Sequence, residues 1–205
     1  MNKEDELYMD QLGKTIKSVD NYFNPEYKFA LCDRVQDDKT FLPVKSEPKA
    51  TGFDVRAAIN PDSPLVIAPL DYVKIPLGFR GFCPPGWWYE LKPRSSTFGK
   101  KNLNCLYGTI DETYEGELVL AVQYIPSVGL NAINGPKSWQ DYINSNHLTI
   151  KYGEAVGQIV PVKRQEMSVT EVSNEEYDRL CAERQGIRGA GGFGSSDTGF
   201  IKYGQ

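Results

Sequence analysis

From Tyr27 onward the chain is written in short apolar runs cut by proline and glycine: YKFALC, FDVRAAI, PLVIAP, YVKIPLGF, WWYELK, LVLAVQYI, LTIKY, QIVPVK and MSVTEV. A run of a few apolar and β-branched residues bounded by turn formers is short for a helix and suits a strand half buried in a sheet. A succession of them predicts an all-β barrel or sandwich. With 205 residues there is chain enough for one such domain with a real core, plus extensions.

The flanks have a different character. Residues 2–20 carry Leu7, Met9, Leu12, Ile16 and Val19 at spacings near three and four, which predicts a short amphipathic helix in an N-terminal extension, residues 1–26. The β domain is expected over 27–186. Within it, the stretch at about 126–147 is rich in Asn, Ser, Gly and Pro, has no clear period and reads as a long inserted loop. Trp139 and Tyr142 in that insert are expected to pack on the barrel, with a protein partner as the alternative. NEEYDRLCAER at 174–184 suits one or two helical turns. After it, GIRGAGGFGSSDTG is too rich in glycine to hold one conformation unaided, so residues 187–205 are expected to form a flexible arm.

Charge and cysteine usage narrow the function. A net charge of −4 disfavours non-specific binding to long nucleic acid, so any phosphate site must be local. The opening MNKEDELYMD places acids where a secretory leader has a basic end, and no run approaches the roughly 20 apolar residues of a membrane span. A cytoplasmic (intracellular) protein with no membrane association is expected. Cys32, Cys83, Cys105 and Cys181 are scattered and His147 is the one histidine of the chain, a composition that speaks against zinc and for four reduced, hydrophobe-like thiols and a surface imidazole.

Two phosphate motifs fail on context. LGKT at 12–15 has Tyr8 where a P-loop requires glycine. Gly189, Gly191 and Gly194 form a G-x-G-x-x-G, but the strand and long helix of a dinucleotide fold have no room around it. Three polar clusters remain. LKPRSSTFGK gathers Arg94, Ser95 and Ser96, a guanidinium fork and two hydroxyls that suit a phosphate, although a solvated turn is the plainer reading. GTIDETYEGELVLAV resembles a β-hairpin that presents Asp111 and Tyr114 at one end, or an ordinary acidic turn. IRGAGGFGSSDTG couples Arg188, Phe193, Ser195 and Ser196 to a backbone able to approach a ligand closely.

In this order the clusters resemble the five motifs of the trimeric dUTPase family: ATGFDVRAA (50–58), PRSS (93–96), YGTIDETYEGE (107–117), GEAVGQIV (153–160) and RGAGGFGSSDTG (188–199). The resemblance covers roughly residues 27–200 and implies a distorted jelly-roll-like β-barrel that hydrolyses dUTP to dUMP and pyrophosphate. It makes Asp111 the general base for a water attacking the α-phosphorus; a carboxylate ionised at neutral pH can accept that proton. It lays Tyr114 against the deoxyribose and sets the backbone of Gly108 and Ile110 on the uracil edge, a close approach that suits glycine. Arg94, Ser95 and Ser96 become phosphate ligands and Gln158 an amide near the reacting phosphate. Arg188, Phe193 and Ser195 become the γ-phosphate clamp, the aromatic stacked on uracil and a further hydroxyl. Mg²⁺ is implied as the cofactor, carried on the triphosphate and needing few protein ligands, with Asp54 touching it through water or else holding the barrel together. A homotrimer with sites shared between subunits is implied as well.

The chain also departs from the pattern. Cys105 stands where relatives usually place an asparagine that helps bind the base, and the 126–147 insert is longer than the usual connection. A dCTP deaminase shares the fold and a similar Arg-Ser-Ser element, but its glutamate corresponds to Ala121 here. The other rival is a nucleotide-sensing or protein-binding module that signals through the insert.

Overall fold

The computed structural model describes residues 3–126 and 139–184 and divides into two units, Met1–Arg164 and Gln165–Gln205. The first unit holds α1 (Lys3–Phe23), β1 (Lys28–Leu31), β2 (Phe53–Arg56), β3 (Leu65–Ile67), β4 (Tyr72–Phe82), β5 (Trp87–Pro93) and α2 (Ser95–Gly99). It continues with β6 (Leu103–Cys105), β7 (Gly108–Ile110), β8 (Glu117–Tyr124), α3 (Trp139–Ser145), β9 (Leu148–Ile150) and β10 (Ala155–Lys163). The second contains α4 (Asn174–Glu183), whose first turn is capped by Ser173, the hydroxyl accepting from the Glu176 N–H at 3.2 Å. None of the described helices is long and apolar enough to cross a membrane.

Two four-stranded antiparallel sheets, in the orders β1-β4-β8-β6 and β2-β10-β5-β7, make the expected jelly-roll-like all-β architecture, with β3 and β9 as a separate pair. Alternation along each strand supplies the core. Ile75, Leu77 and Phe79 of β4 and Leu118, Leu120 and Val122 of β8 are buried with Val55 of β2, Tyr89 and Leu91 of β5 and Val156 and Ile159 of β10. Each fully buried side chain of this size contributes about 1.5–3 kcal/mol relative to exposure.

Four expectations change. β7 and β8 are not paired as a hairpin: β8 pairs with β6, the ladder runs on through the Leu106 N–H to the Ala121 carbonyl at 2.9 Å, and β7 crosses to the other sheet to pair with β5. The insert is not all loop, because Trp139, Tyr142 and Ile143 fall at helical spacing and Trp139–Ser145 forms α3. Tyr142 is half-buried, and its phenol adds to burial in raising the Tyr124 phenol above its ordinary range. MSVTEV forms no strand: Met167 and Val169 are over four-fifths exposed, and alternation alone cannot fix a strand without a partner edge. Two cysteines are buried, Cys32 is half-buried and Cys181 on α4 is exposed, so the hydrophobe-like reading fails for that last thiol. His147 is a surface residue, as expected.

β4 bends at Gly78, where φ is +78° and the pairing register with β8 shifts between Pro76 and Arg80. The bend is held by Glu117, which accepts the Gly78 N–H at 3.1 Å and grips Arg34 through Nε at 2.8 Å and a second guanidinium nitrogen at 3.0 Å. A Cβ at Gly78 would stand 2.7 Å from Val35 Cγ1 and 2.8 Å from the Ala58 Cβ. Gly78→Ala is therefore expected to lower unfolding free energy by about 2–4 kcal/mol, strain plus overpacking. Gly153→Ala, at φ +73° with open space around it, carries the strain alone and should cost visibly less by urea denaturation. Equal losses would refute the packing account.

Candidate active site

β10 lies between β2 and β5, and its register sets Asp54, Gln158 and Lys92 side by side in one row across the three strands. Alternation turns this row away from the core: Val55 and Leu91 beside it are buried, while Asp54, Gln158 and Lys92 are half-buried. At the end of β5 the chain turns into α2, with Arg94 as the extended residue just before its first turn. The Arg94 Nε stands 3.2 Å from Asp54 Oδ1, so the carboxylate aims the guanidinium. Gln158 donates from Nε2 to the Pro93 carbonyl at 3.1 Å, and its Oε1 lies where a side chain at residue 52 would have to be, which accounts for Gly52. α2 is pinned beneath by Thr97, fully buried, whose hydroxyl donates to the Val156 carbonyl at 2.7 Å. Ser95 is thereby left exposed and Ser96 half-buried beside Arg94.

A second polar group sits on the same sheet. β7 pairs with β5 so that Gly108 faces Leu91 and Ile110 faces Tyr89, which delivers Asp111 to the end of β5 at Trp88. The turn closes with the Tyr114 N–H donating to the Asp111 carbonyl at 3.1 Å and the Tyr114 hydroxyl to the Glu117 carbonyl at 3.0 Å. Asp111 is exposed and lines a cavity of about 290 Å³ with Trp87, Trp88, Thr109, Glu112 and Arg164. A Cβ at Gly108 would meet Leu91 at 3.5 Å, an ordinary contact, so the chain's own packing does not demand glycine there.

One chain does not bring the two groups together. Strand rise puts Asp111 about 13 Å along β5 from the Asp54–Gln158–Lys92 row, and the strand spacing puts β7 about 14 Å across the sheet from β2. Arg188, Phe193 and Ser195 lie outside the described residues. Cys105 faces the core, its thiol pushed up to about 11 by burial, and its neighbour Asn104 is exposed on the other side of β6. Ala121 is buried in β8 opposite Lys74. Among the described residues no group of three or more His, Cys, Asp or Glu gathers to hold a metal. Thr97, Lys92, Glu112 and Arg164 were not among the expected site residues; the first three stand inside LKPRSSTFGK and GTIDETYEGE and were legible as parts of those clusters, whereas Arg164 carries no local signal.

No protein-family model matches the chain. Curated deoxyuridine 5'-triphosphate nucleotidohydrolases do: the protein of Rhizobium etli is 31% identical over 157 residues, 76% of this chain and 84% of that one. That of Wolbachia pipientis wMel is 31% identical over 157 residues, 76% and 86% of the two chains, and that of Maricaulis maris 27% over 161 residues, 77% and 88%. Among solved structures, a Staphylococcus bacteriophage 80alpha dUTPase variant with dUpNHpp superposes with a TM-score of 0.59 at 19% identity, covering 84% of this chain and 99% of that one. A variant dUTPase from phage phi11 of S. aureus, described for its coordination of a structural Mg(II) ion, gives 0.56 at 19% identity over 73% and 97%. Identity of this degree over most of both chains places the protein: it belongs to the deoxyuridine 5'-triphosphate nucleotidohydrolase family.

Proposed function

We propose that the protein hydrolyses dUTP to dUMP and pyrophosphate, limiting uracil in DNA and supplying dUMP for dTMP synthesis. The observation that carries this reading is the row on the second sheet, where Asp54, Arg94 and Gln158, drawn from three separate motifs, are locked together beside the Ser95 and Ser96 hydroxyls. A guanidinium fork, two hydroxyls and an amide form a phosphate-binding set, and the relatives' shared name supplies the nucleotide. Asp111 takes a proton from water as its oxygen attacks the α-phosphorus in line. The bond from that phosphorus to the α,β-bridging oxygen breaks, and pyrophosphate leaves with the electron pair. Tyr114 lies against the deoxyribose, where a 2′-hydroxyl would collide, and Gly108 and Ile110 read the uracil edge with their backbone. Arg188, Phe193 and Ser195 complete the phosphate and base contacts from the arm.

Mg²⁺ keeps several waters and needs only one or two carboxylates beside the substrate phosphates, so Asp54, paired with Arg94, would touch the ion through water. When bound, the ion would neutralise phosphate charge. Asp54 serves first to hold Arg94 in place.

The distance between Asp111 and the Asp54–Gln158–Lys92 row within one chain supports sites shared between subunits, and in the closed trimer of this reading each site takes the row from one subunit and the Asp111 turn from another.

Asp111→Asn should lower kcat by at least about 10²-fold with nucleotide affinity retained, as measured by pyrophosphate release and by titration with a non-hydrolysable dUTP analogue. Undiminished turnover would remove Asp111 from the mechanism. Arg94→Ala and Asp111→Asn chains, each nearly inactive alone, should regain about a quarter of wild-type activity when refolded together by random assortment of subunits. Mixtures no more active than their parts would place each site within a single chain.

A further inference from the structure

Glu112, next to the proposed base, makes bonds that the reaction does not use. Its Oε2 accepts the Gly86 N–H at 3.0 Å and an Arg164 guanidinium nitrogen at 2.8 Å, and the Arg164 N–H donates back to the Gly86 carbonyl at 2.9 Å. The three residues close a ring that joins the Asp111 turn, the Pro84–Trp87 turn between β4 and β5, and the last residue of the first unit, directly after β10. The Pro84–Trp87 turn is itself fixed by the Trp87 N–H bonding to the Pro84 carbonyl at 3.1 Å, and Trp87 is paired with Lys163 in the β5–β10 ladder. Glu112 is therefore anchored to the longest ladder of its sheet, while Asp111 beside it is exposed. A carboxylate accepting from a backbone N–H and a guanidinium makes charge-assisted bonds, stronger than neutral ones.

We infer that Glu112 and Arg164 form a positioning clamp for the catalytic turn: Glu112 contacts no reacting atom but fixes where the neighbouring Asp111 carboxylate stands relative to the substrate's α-phosphorus. The inference rests on the reading of Asp111 as general base. Its physical ground is that a misplacement of about 1 Å at a reacting group is enough for a loss near 10²-fold, so a turn held at its second residue needs a rigid anchor. A residue that only stabilises the fold would change the melting temperature and leave turnover per folded site untouched. A positioning residue changes kcat and leaves KM.

The test measures kcat, KM for dUTP and thermal midpoint on the full-length protein carrying Glu112→Ala, Glu112→Gln, Arg164→Met, the Glu112→Ala/Arg164→Met pair and Asp111→Asn. The clamp predicts that Glu112→Ala loses about 10–100-fold in kcat with KM within about threefold and an unchanged midpoint. Glu112→Gln, whose amide oxygen still accepts both bonds, should recover most of that loss, and the pair should be no worse than Glu112→Ala alone. Wild-type kcat in Glu112→Ala overturns the clamp, as does a kcat loss that only tracks a falling midpoint. Should Glu112→Ala not fold, Arg164→Met takes its place: a lowered kcat at constant KM supports the clamp, and wild-type kcat overturns it. If Asp111→Asn keeps full turnover, the general-base reading has failed and the clamp falls with it; if Asp111→Asn is inactive and Glu112→Ala is not impaired, the clamp alone has failed.

Discussion

β10 is paired along both edges, and the register of those two ladders decides what the second sheet can present. Gln158 cannot face Lys92 and Asp54 at once unless β2 and β5 are both in place, and a slip of one residue would turn the whole row inward. The hydrophobic alternation prevents that slip, because it would drive Val55, Leu91 and Ile159 out of the core. The polar row thus inherits its precision from apolar packing on the opposite face of the same strands. Thr97 and Pro93 carry that precision off the end of the sheet into α2, one by a buried hydroxyl bond and the other by a carbonyl that Gln158 grips.

The other polar group is built differently. The Asp111 turn hangs between two sheets, entered from β7 on one and left through β8 on the other, so no single ladder fixes it. Its order comes from side chains: Tyr114 reaching the Glu117 carbonyl, and Glu112 reaching across to Gly86 and Arg164. Glu117 has a second task at the start of its strand, because the same residue holds the bend of β4 through Gly78 and Arg34. The position of the acidic turn and the bend in β4 are in this way mechanically joined.

How much of this could be read from residues alone follows from which forces are local. Short apolar runs bounded by turn residues, such as LVLAVQYI and WWYELK, were legible because their length and composition suit a buried strand whatever its partner. That Arg94, Asp54 and Gln158 belong to one cluster was legible through their motifs, and the ladders do bring them together. The crossing of β7 was not, since LYGTID contains nothing that says which sheet it joins; a tight acidic turn before an apolar strand has the same appearance as a hairpin. MSVTEV misled for the converse reason: its β-branched residues and partial alternation suit a strand, but pairing is a property of two segments and not of one. α3 was hidden by the polar residues around WQDYINS. Glu112 and Arg164 meet across a separation of 52 residues, and nothing in either stretch names the other as its partner.

The insert that contains α3 leaves and rejoins the body at points already tied down. Tyr124 exchanges backbone bonds with Leu70 and Asp71, Ile125 donates to the Asn102 carbonyl at 3.0 Å, and β9 is registered on β3 from Leu148 onward. The closing cost of a loop grows only as the logarithm of its length, about 0.6 kcal/mol for each doubling. With its two ends anchored independently, this connection can lengthen or shorten over evolutionary time at little cost to the sheets, which makes it the place where related chains are free to diverge in size and where a foreign segment could be grafted without disturbing the register of β10.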